Sequence, residues 1–508
     1  DWGLTDLECD LPVWTTLQGA LRAGQWQVTV AVFREREIVA IWPGYHDTAL
    51  GMAFDIGSTT IAAHLVDLAS GEALASAGRM NPQIRFGEDL MSRVSYVMMH
   101  PGAEQQMCEV VRTAVAELIL EVCAEAEQTP DNILDCTFVG NPIMHHLLLG
   151  LSPVELGGAP FALATDSAVT VSAQRLNLGI NPGARCYVLP CIAGHVGADC
   201  AAVVLSEAPH LREELTLLVD VGTNAEIVLG NRHRLLAASS PTGPAFEGAQ
   251  ISSGQRAAPG AIERVRIDPE TLEPKFRIIG CDLWSDHPDF VNQTAGLGIT
   301  GICGSGIIEV LAELYLAQVI SSDGVVDGAL SARSPRVIAD GRTFAYLLHE
   351  GEIRILVTQN DVRAIQLAKA ALYAGVRLLM DKLNVDSVDR IRLAGAFGSH
   401  IDVKYAMVLG LIPDCALENV TSAGNAAGSG AHIALVDRNS REEIEREIRR
   451  IEKIETAVET RFQEHFVEAM AIPHKSARFD ELAKAVTLPL QTDAPSDSRL
   501  SGRRRRRR

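Results

Sequence analysis

The sequence predicts an α/β fold in which one strand–turn–strand unit occurs twice around a cleft, preceded by a small α+β piece. Its 508 residues are 47% hydrophobic but only 5% aromatic, and small aliphatic side chains let helices lie close on sheets. One apolar strand runs into D-I-G-S-T-T at Asp55–Thr60, and another runs into D-V-G-T-N-A at Asp220–Ala225. The two turns lie far apart in the chain, so they indicate a duplicated unit rather than the short period of a solenoid.

The individual elements follow from apolar periodicity. Alternating residues predict two paired strands, Gln25–Phe33 and Glu37–Trp42, within the first segment. Thr358 and Asp361 form the capping box of a long helix. The other predicted strands are 52–56, Ile61–Asp67, Thr137–Gly140, Cys186–Pro190, Leu215–Val221, Glu226–Leu229 and Arg390–Leu393. The predicted helices are Glu104–Ala126, the later part of Gly301–Ala317, Asp361–Leu383, Ser440–Glu452 and Glu459–Met470.

Four segments are expected along the chain. Residues 1–48 are the remnant of a small linker domain, 49–212 the first half of the duplicated domain, and 213–475 its second half. Residues 476–508 turn polar and are expected to be a disordered tail that ends in six arginines. We expect this tail to be solvated or engineered, with contact to RNA, acidic lipid or an acidic protein as the alternative.

Charge and cysteine usage exclude several classes of protein. The formal charge is −19 in spite of the arginine run, which argues against general nucleic-acid binding. None of the ten cysteines forms a C-x-x-C pair, so reduced thiols in a cytoplasmic protein are expected. We find no signal peptide and no apolar run of bilayer length, so no membrane association is predicted. Because the chain starts with Asp1 instead of Met, we expect it to be part of a longer protein.

Both aspartate turns carry the groups that a nucleoside triphosphate requires. Backbone N–H groups and hydroxyls that could hold phosphates come from Gly57, Ser58, Thr59, Thr60, Gly222, Thr223 and Asn224. Asp55 and Asp220 are the predicted catalytic pair and would hold Mg²⁺ through its water shell. Glu226 either orients the attacking water or faces solvent, and Asp199 is a comparable carboxylate candidate.

A third motif, L-A-G-A-F-G at Leu393–Gly398, follows another apolar strand. Its small residues would let the adenine ring approach the backbone. The predicted ATP-binding residues of this motif are Gly395, Ala396, Phe397 and Gly398. Three such motifs in this order make a purely structural origin improbable.

These motifs resemble, in their order and in their residues, those of the acetate and sugar kinase/Hsp70/actin superfamily. The resemblance implies two RNase H-like halves around a nucleotide cleft. Longer segments resemble the ATP-dependent reductive activators of corrinoid proteins, over roughly Gly51 to His474. These segments are Asn81–Arg93, Gly140–Gly150, Pro241–Gly248, Gly301–Ile307, Thr358–Ala370 and Gly424–Ala431. Residues 1–48 resemble the end of that family's small middle domain. The last motif adds Gly424 and Asn425 to the expected ATP-binding residues.

The resemblance implies that ATP drives the one-electron reduction of cob(II)alamin to cob(I)alamin on a corrinoid methyltransferase. Members of that family carry an iron–sulfur domain, yet this sequence has neither of its cysteine patterns. We therefore expect a [2Fe-2S] centre on an upstream domain, or a separate reductase or ferredoxin-type donor. A homodimer is also expected.

The surface that would meet the corrinoid protein is assigned to two glycine-rich loops, Ser239–Gly248 and Gly301–Gly306. The candidate partner-facing residues are Ser240, Thr242, Gly243 and Ser305. Both loops could instead be structural turns.

Other interpretations stay open at this point. The same core could belong to a small-molecule kinase, to an activator of the 2-hydroxyacyl-CoA dehydratase type, or to a chaperone-like or filament-forming ATPase. Cys303 is expected to be a buried thiol and not a cluster ligand. His145 and His146 are expected to pack in the interior, and His195 lies either in a turn or near the cleft.

Overall fold

The first segment of the chain folds into a three-stranded sheet with one helix. The structure, a computed structural model, describes residues 3–222 and 224–489. The elements of this segment are β1 (Glu8–Cys9), α1 (Leu11–Ala23), β2 (Val28–Phe33) and β3 (Glu37–Pro43). β2 and β3 pair antiparallel as predicted. Arg185, from a later strand, forms ion pairs with Asp10 at 3.0 Å and Glu37 at 2.6 Å, which fastens this segment to the sheet that follows.

The next part of the chain builds a six-stranded sheet covered by helices. Its elements are β4 (Leu50–Ile56), β5 (Thr60–Asp67), β6 (Ala73–Met80), α2 (Leu90–Met99), α3 (Ala103–Glu125), β7 (Ile133–Val139), α4 (Pro142–Leu149), β8 (Val169–Ser172), α5 (Ala173–Leu176), β9 (Arg185–Val188) and α6 (Ala198–Glu207). The strand order is β6-β5-β4-β7-β9-β8. Val111, Leu118 and Val122 of α3 are buried in the core of this part, as the helical periodicity predicted.

The remaining elements follow in chain order. The strands are β10 (Thr216–Val221), β11 (Ala225–Gly230), β12 (Leu235–Ser240), β13 (Ala261–Ile267), β14 (Pro274–Ile278), β15 (Gly301–Ile302), β16 (Val337–Asp340), β17 (Thr343–Glu350), β18 (Arg354–Val357), β19 (Arg390–Ala394), β20 (Val420–Gly424) and β21 (Glu452–Lys453). The helices are α7 (Phe290–Thr294), α8 (Gly304–Leu316), α9 (Gln359–Leu383), α10 (Gly395–His400), α11 (Val403–Leu409), α12 (Ala426–Val436), α13 (Arg438–Glu447), α14 (Thr460–Glu468) and α15 (Asp480–Ala485).

Five strands of each six-stranded sheet repeat one topology, which confirms the predicted duplication. The second sheet has the order β20-β19-β10-β11-β12-β21. In each sheet a three-stranded antiparallel meander is followed by a strand that lies parallel to the first strand of the meander. That parallel strand is β7 beside β4 in the first sheet and β19 beside β10 in the second.

Contacts divide the described chain into two compact units. The first contains residues 3–222, 224–243, 375–400 and 418–462, and therefore both copies of the duplicated sheet. Its central core combines residues of both sheets with α6 and α12. A Cβ on Gly430 of α12 would lie 2.1 Å from the carbonyl oxygen of Ala202 on α6, so these helices can pack this closely only because small residues meet.

The second unit contains residues 244–374, 401–417 and 463–489. It holds two three-stranded sheets, with orders β14-β13-β15 and β16-β17-β18. The predicted capping box begins α9, because the Thr358 N–H donates to Asp361 at 2.8 Å and the Asp361 N–H donates to the Thr358 hydroxyl oxygen at 3.2 Å.

Two boundaries differ from the sequence-based expectations. The helix predicted over Ser440–Glu452 ends at Glu447, because Glu452 and Lys453 pair with β12 as the edge strand β21. Residues 480–485 form α15 rather than the start of a tail, with Leu482 buried. The arginine run lies outside the described residues. Across residues 3–222 and 224–489, no helix combines the length and apolar character needed to cross a bilayer.

Candidate functional site

The two predicted aspartates occupy equivalent positions in the duplicated sheets. Asp55 pairs with Ala62 across the hairpin and with Val139 on the parallel strand β7. Asp220 pairs with Glu226 across its hairpin and with Ala394 on β19. Both therefore lie near the end of the first meander strand, beside the carboxyl end of a parallel strand. Ligands bind at such ends in α/β folds.

Four carboxylates come together in the first unit. They are Asp55, Asp199, Asp220 and Glu226, each part-buried. Burial and the negative charges of Asp199 and Asp220 raise the pKa of Asp55 to about 8. Burial and the charge of Asp220 raise the pKa of Asp199 to about 7. The fold thus joins Asp199 to the two predicted aspartates.

The other two carboxylates show the same electrostatic pattern. Burial raises the pKa of Asp220 to about 6. Burial, together with the charges of Asp199 and Asp220, holds the pKa of Glu226 well above its usual value. Glu226 therefore belongs to the cluster and does not simply face solvent. Among the described residues, none of the four forms an ion pair with lysine or arginine. The cluster is a site of unneutralised negative potential and fits a cation.

The donor set fits Mg²⁺ that keeps its own water shell. In the part of the chain that the structure describes, no three His, Cys, Asp or Glu side chains converge closely enough to hold a metal directly. Carboxylates that hydrogen-bond to coordinated waters need no such convergence. Asp55 and Asp220 are suited to this indirect mode.

The first predicted phosphate turn is held from behind by two buried side chains. Asn81 donates from Nδ2 to the Gly57 carbonyl and from its backbone N–H to the Thr59 carbonyl, both at 2.8 Å. Arg93 donates from Nη2 to the Ser58 carbonyl at 2.5 Å. Both residues lie in the segment Asn81–Arg93, but neither was predicted to have a role in the site. The signal in the sequence was the amide of Asn81 and the guanidinium of Arg93 at the two ends of this glycine-containing segment.

The second turn is supported in a related way. The Gly222 N–H donates to the Asn224 carbonyl at 3.0 Å, and the Thr242 hydroxyl donates to the Gly222 carbonyl at 3.0 Å. Thr223 lies outside the described residues. Ser240 and Thr242 are buried, and Gly243 is half-buried. Thr242 supports the turn after Asp220 through this bond, and the partner-facing role of Ser240, Thr242 and Gly243 stays a prediction.

The third motif lies beside Asp220. Gly395 has φ +82°, and a Cβ there would lie 2.4 Å from Asp220 Oδ1, so glycine is required next to this carboxylate. Gly398 is buried in α10. The side chains of Ala396 and Phe397 lie outside the described part of the structure.

Gly140, after β7, is the counterpart of Gly395 in the first sheet. A Cβ on Gly140 would lie 2.8 Å from the Ile56 carbonyl. Its own carbonyl accepts hydrogen bonds from the N–H groups of Ala198 at 3.0 Å and Asp199 at 3.2 Å. This contact brings the start of α6, and with it Asp199, to the end of β4. Gly140 was not among the site residues predicted from the sequence.

The last predicted pair lies on the next strand of the second sheet. Gly424 pairs with Ala394 and has φ +62°. Asn425 caps α12, and its side-chain oxygen accepts from the Gly428 N–H at 2.9 Å. Gly424 is thus two strands from Asp220 at the same sheet edge, while the visible role of Asn425 is a helix cap.

The remaining candidates are explained by packing. Ser305 belongs to the second unit and is buried, with its hydroxyl 3.3 Å from Cys303 Sγ; its partner-facing role stays a prediction. Cys303 is a buried thiol, as expected, and donates to the Ile262 carbonyl at 3.3 Å. His145 and His146 are buried in α4. His195 packs against the Phe161 ring with centroids 4.2 Å apart.

Comparison with known proteins identifies the class. Residues 214–483 match the family described as the "C-terminal domain of RACo the ASKHA domain". Residues 50–211 match the "RACo middle region" and 1–48 the "RACo linker region". The fold is therefore that of the acetate and sugar kinase/Hsp70/actin superfamily, as predicted, and the chain belongs to the RACo family.

Individual relatives agree with this assignment. The chain is 35% identical over 400 residues to "Corrinoid activation enzyme RamQ" of Eubacterium limosum, covering 76% of this chain and 64% of that protein. It is 24% identical over 414 residues to "[Co(II) methylated amine-specific corrinoid protein] reductase" of Methanosarcina barkeri, covering 78% and 71%. A solved "Reductive activator for corrinoid,iron-sulfur protein" has 32% identity and a TM-score of 0.80, covering 92% and 74%. The match thus spans less than two thirds of RamQ. The predicted resemblance to reductive activators of corrinoid proteins is confirmed.

Proposed function

We propose that the chain binds ATP with Mg²⁺ at the four-carboxylate cluster and uses it to drive the reductive activation of a corrinoid protein. The observation that carries the proposal is the pairing of Asp55 and Asp220 at equivalent strand ends of the duplicated sheets. Each is followed by a turn rich in N–H donors. A single aspartate turn is common, whereas two related by duplication, and close enough for the charge of Asp220 to raise the pKa of Asp55, support one polyphosphate–metal site.

The residues of the site have different roles in phosphoryl transfer. The turns 57–60 and 222–224 supply N–H groups for the phosphate oxygens, apart from the Gly222 N–H, which donates to the Asn224 carbonyl. Asp55 and Asp220 would hold the metal through its water shell, and the bound metal would neutralise phosphate charge. Glu226 and Asp199, with their raised pKa values, are suited to orient a water and accept its proton. Hydrolysis to inorganic phosphate is the expected reaction.

The coupled reaction that we propose is the transfer of one electron to cob(II)alamin on a corrinoid methyltransferase, which yields cob(I)alamin. The proposal is supported by the family and by two relatives, which are named a corrinoid activation enzyme and a Co(II) corrinoid protein reductase. ATP can drive this uphill step only if it binds two conformations of the protein with different affinity.

The electron must come from a centre that these residues do not form. The ten cysteines are free and dispersed, and nine of them are buried. Within the described residues no cysteine group has the geometry of a cluster site. We therefore propose a [2Fe-2S] centre or another low-potential donor on a further segment or a separate protein.

The experiment combines the chain with a corrinoid methyltransferase in the cob(II) state and a chemical one-electron donor. Restoration of cob(I)alamin absorbance only when MgATP is present supports the proposal, and equal restoration without ATP contradicts it. The released product separates the alternatives, because a small-molecule kinase would transfer the γ-phosphate to an acceptor instead of releasing it.

Variants locate the site. Asp55→Ala and Asp220→Ala should each lose most ATP hydrolysis, because the metal's waters lose an anchor. Asp67→Ala is the matched control, since Asp67 lies at the opposite end of the β5 hairpin and accepts N–H bonds in a surface turn. Near-normal turnover in both site variants would mean that the site lies elsewhere.

A further inference from the structure

A fully buried arginine lies directly behind the first phosphate turn. Arg93 of α2 has no exposed surface. Besides its bond to the Ser58 carbonyl, it donates from Nε to the Gly87 carbonyl at 3.0 Å and from Nη1 to Gln83 Oε1 at 3.3 Å. Its Nη1 also lies 3.2 Å from Met144 Sδ. The guanidinium is thus fixed on several sides.

All of these partners are neutral. Among the described residues, no carboxylate lies within ion-pair distance of the Arg93 guanidinium. A buried charge without a counter-charge is costly, and burial lowers the pKa of Arg93 to about 10, partly offset by Asp89. The side chain nevertheless stays protonated at neutral pH. The chain therefore keeps an unpaired positive charge beside the turn, which calls for a compensating anion.

The carbonyl directions show on which side that anion would lie. Asn81 donates to the carbonyls of Gly57 and Thr59, and Arg93 donates to the Ser58 carbonyl between them. In a planar trans peptide the next N–H points opposite to the carbonyl. Since the Ser58 carbonyl points at the Arg93 guanidinium, the N–H of Thr59 in the same peptide unit is directed away from the arginine, as an anion-binding turn requires.

We propose that Arg93 is a positioning residue for the bound nucleotide, which fixes the turn Gly57–Thr60 and supplies the positive charge that favours a phosphate group there. This inference rests on the proposed ATP site. It adds that recognition at this turn depends on the phosphate charge and not on the nucleoside. Affinity should accordingly fall with the number of phosphates when the guanidinium is removed.

Two substitutions of Arg93 separate the contribution of its positive charge from that of its hydrogen bonds. Arg93→Met keeps a long apolar side chain but removes the charge and the donors. Arg93→Lys keeps the charge but cannot reproduce the guanidinium's bonds to the Ser58 carbonyl, the Gly87 carbonyl and Gln83. Arg112→Met is the matched control, because Arg112 donates to backbone carbonyls of Leu148 and Arg175, away from the turn.

The assay is calorimetric binding of ATP, ADP and adenosine with Mg²⁺, with thermal unfolding measured in parallel. For Arg93→Met we expect ATP to bind about 10- to 100-fold more weakly, with ADP affected less and adenosine within about threefold. Arg93→Lys should bind ATP with intermediate affinity. Arg112→Met should leave all three affinities unchanged.

The outcomes distinguish a nucleotide-positioning role of Arg93 from a purely structural role. Equal losses for ATP and adenosine in Arg93→Met would show a merely structural arginine and overturn the inference, as would wild-type ATP affinity in Arg93→Lys. If Arg93→Met does not fold, the ratio of ATP to adenosine affinity in Arg93→Lys decides, and an unchanged ratio refutes the proposal. If the unaltered chain fails to bind ATP, the proposed function itself fails, which is a separate result.

Discussion

Replacing Asp55 with Asn should make the ligand-free protein more stable at pH 8 while it abolishes ATP hydrolysis. The carboxyl of Asp55 has an ordinary pKa of 3.8, which burial and the neighbouring aspartates raise to about 8. A carboxyl with a raised folded-state pKa contributes stability that is present below its unfolded pKa and lost as pH rises through its folded pKa. The wild-type protein should therefore lose stability between about pH 4 and pH 8, and an uncharged Asn removes this loss.

The magnitude follows from the shift. About four pKa units correspond to an upper limit of ~5 kcal/mol at pH 8, at 1.36 kcal/mol per unit. Because Asp55 keeps some contact with solvent and its shift is shared with its neighbours, about 2 kcal/mol is a fair expectation. For large domains that corresponds to a rise in Tm of ~4–8 °C. At pH 4 the difference between the two proteins should be close to zero.

The assay is thermal unfolding of both proteins at pH 4, 6 and 8 without nucleotide, with phosphate release measured at pH 8. Asp67→Asn is the control of opposite sign. Hydrogen bonds from Ser70 N–H and Ala69 N–H lower the pKa of Asp67, so its stabilising contribution is present above the unfolded pKa and lost in acid. A variant Asp55→Asn that is no more stable than wild type at pH 8 would refute the electrostatic account of the cluster.

Two further results are expected from the same site. Binding of MgATP at pH 7 should release protons, because burial and neighbouring negative charges raise the pKa of Asp55 to about 8 and that of Asp199 to about 7, and a bound cation favours the ionised carboxylates. Titration calorimetry in buffers of different ionisation enthalpy measures this release, and buffer-independent heat would contradict it. Gly395→Ala should weaken ATP binding by at least ~10-fold, since the new Cβ at φ +82° would lie 2.4 Å from Asp220 Oδ1. Gly71→Ala is the control, because Gly71 has a similar φ of +76° and nothing lies within 4 Å of the new Cβ. An equal effect of both substitutions on ATP binding would show that backbone strain alone, and not the contact with Asp220, causes the loss.

The local elements were predictable because their signals are short in sequence. Alternating apolar residues defined β4, β5, β10 and β11, and the reciprocal bonds of Thr358 and Asp361 formed as the capping box implied. The end of α13 was missed because its cause is distant. The pairing of Glu452 with Leu236 of β12 joins positions more than 200 residues apart, and no local pattern encodes it.

The burial of three loop residues also could not be predicted from local sequence. Ser240, Thr242 and Ser305 lie in glycine-rich, polar segments that are typical of surfaces, yet the fold buries all three. The hydroxyl of Thr242 is occupied by the Gly222 carbonyl. The sequence alone does not show whether a hydroxyl faces a partner or donates to a buried carbonyl, since the two cases differ only in the packing around the hydroxyl.

The sequence by itself determined the duplicated strand–turn–strand unit, the two aspartates at its turns and the family, because each depends on residues adjacent in the chain. Only the tertiary structure decided which other groups join them. Asp199 reaches the cluster through the contact of α6 with Gly140, and Arg93 reaches the first turn from a helix that follows a separate strand. Charges act through space and not along the chain, so the raised pKa values of the cluster and the unpaired guanidinium behind it exist only once the sheets have folded.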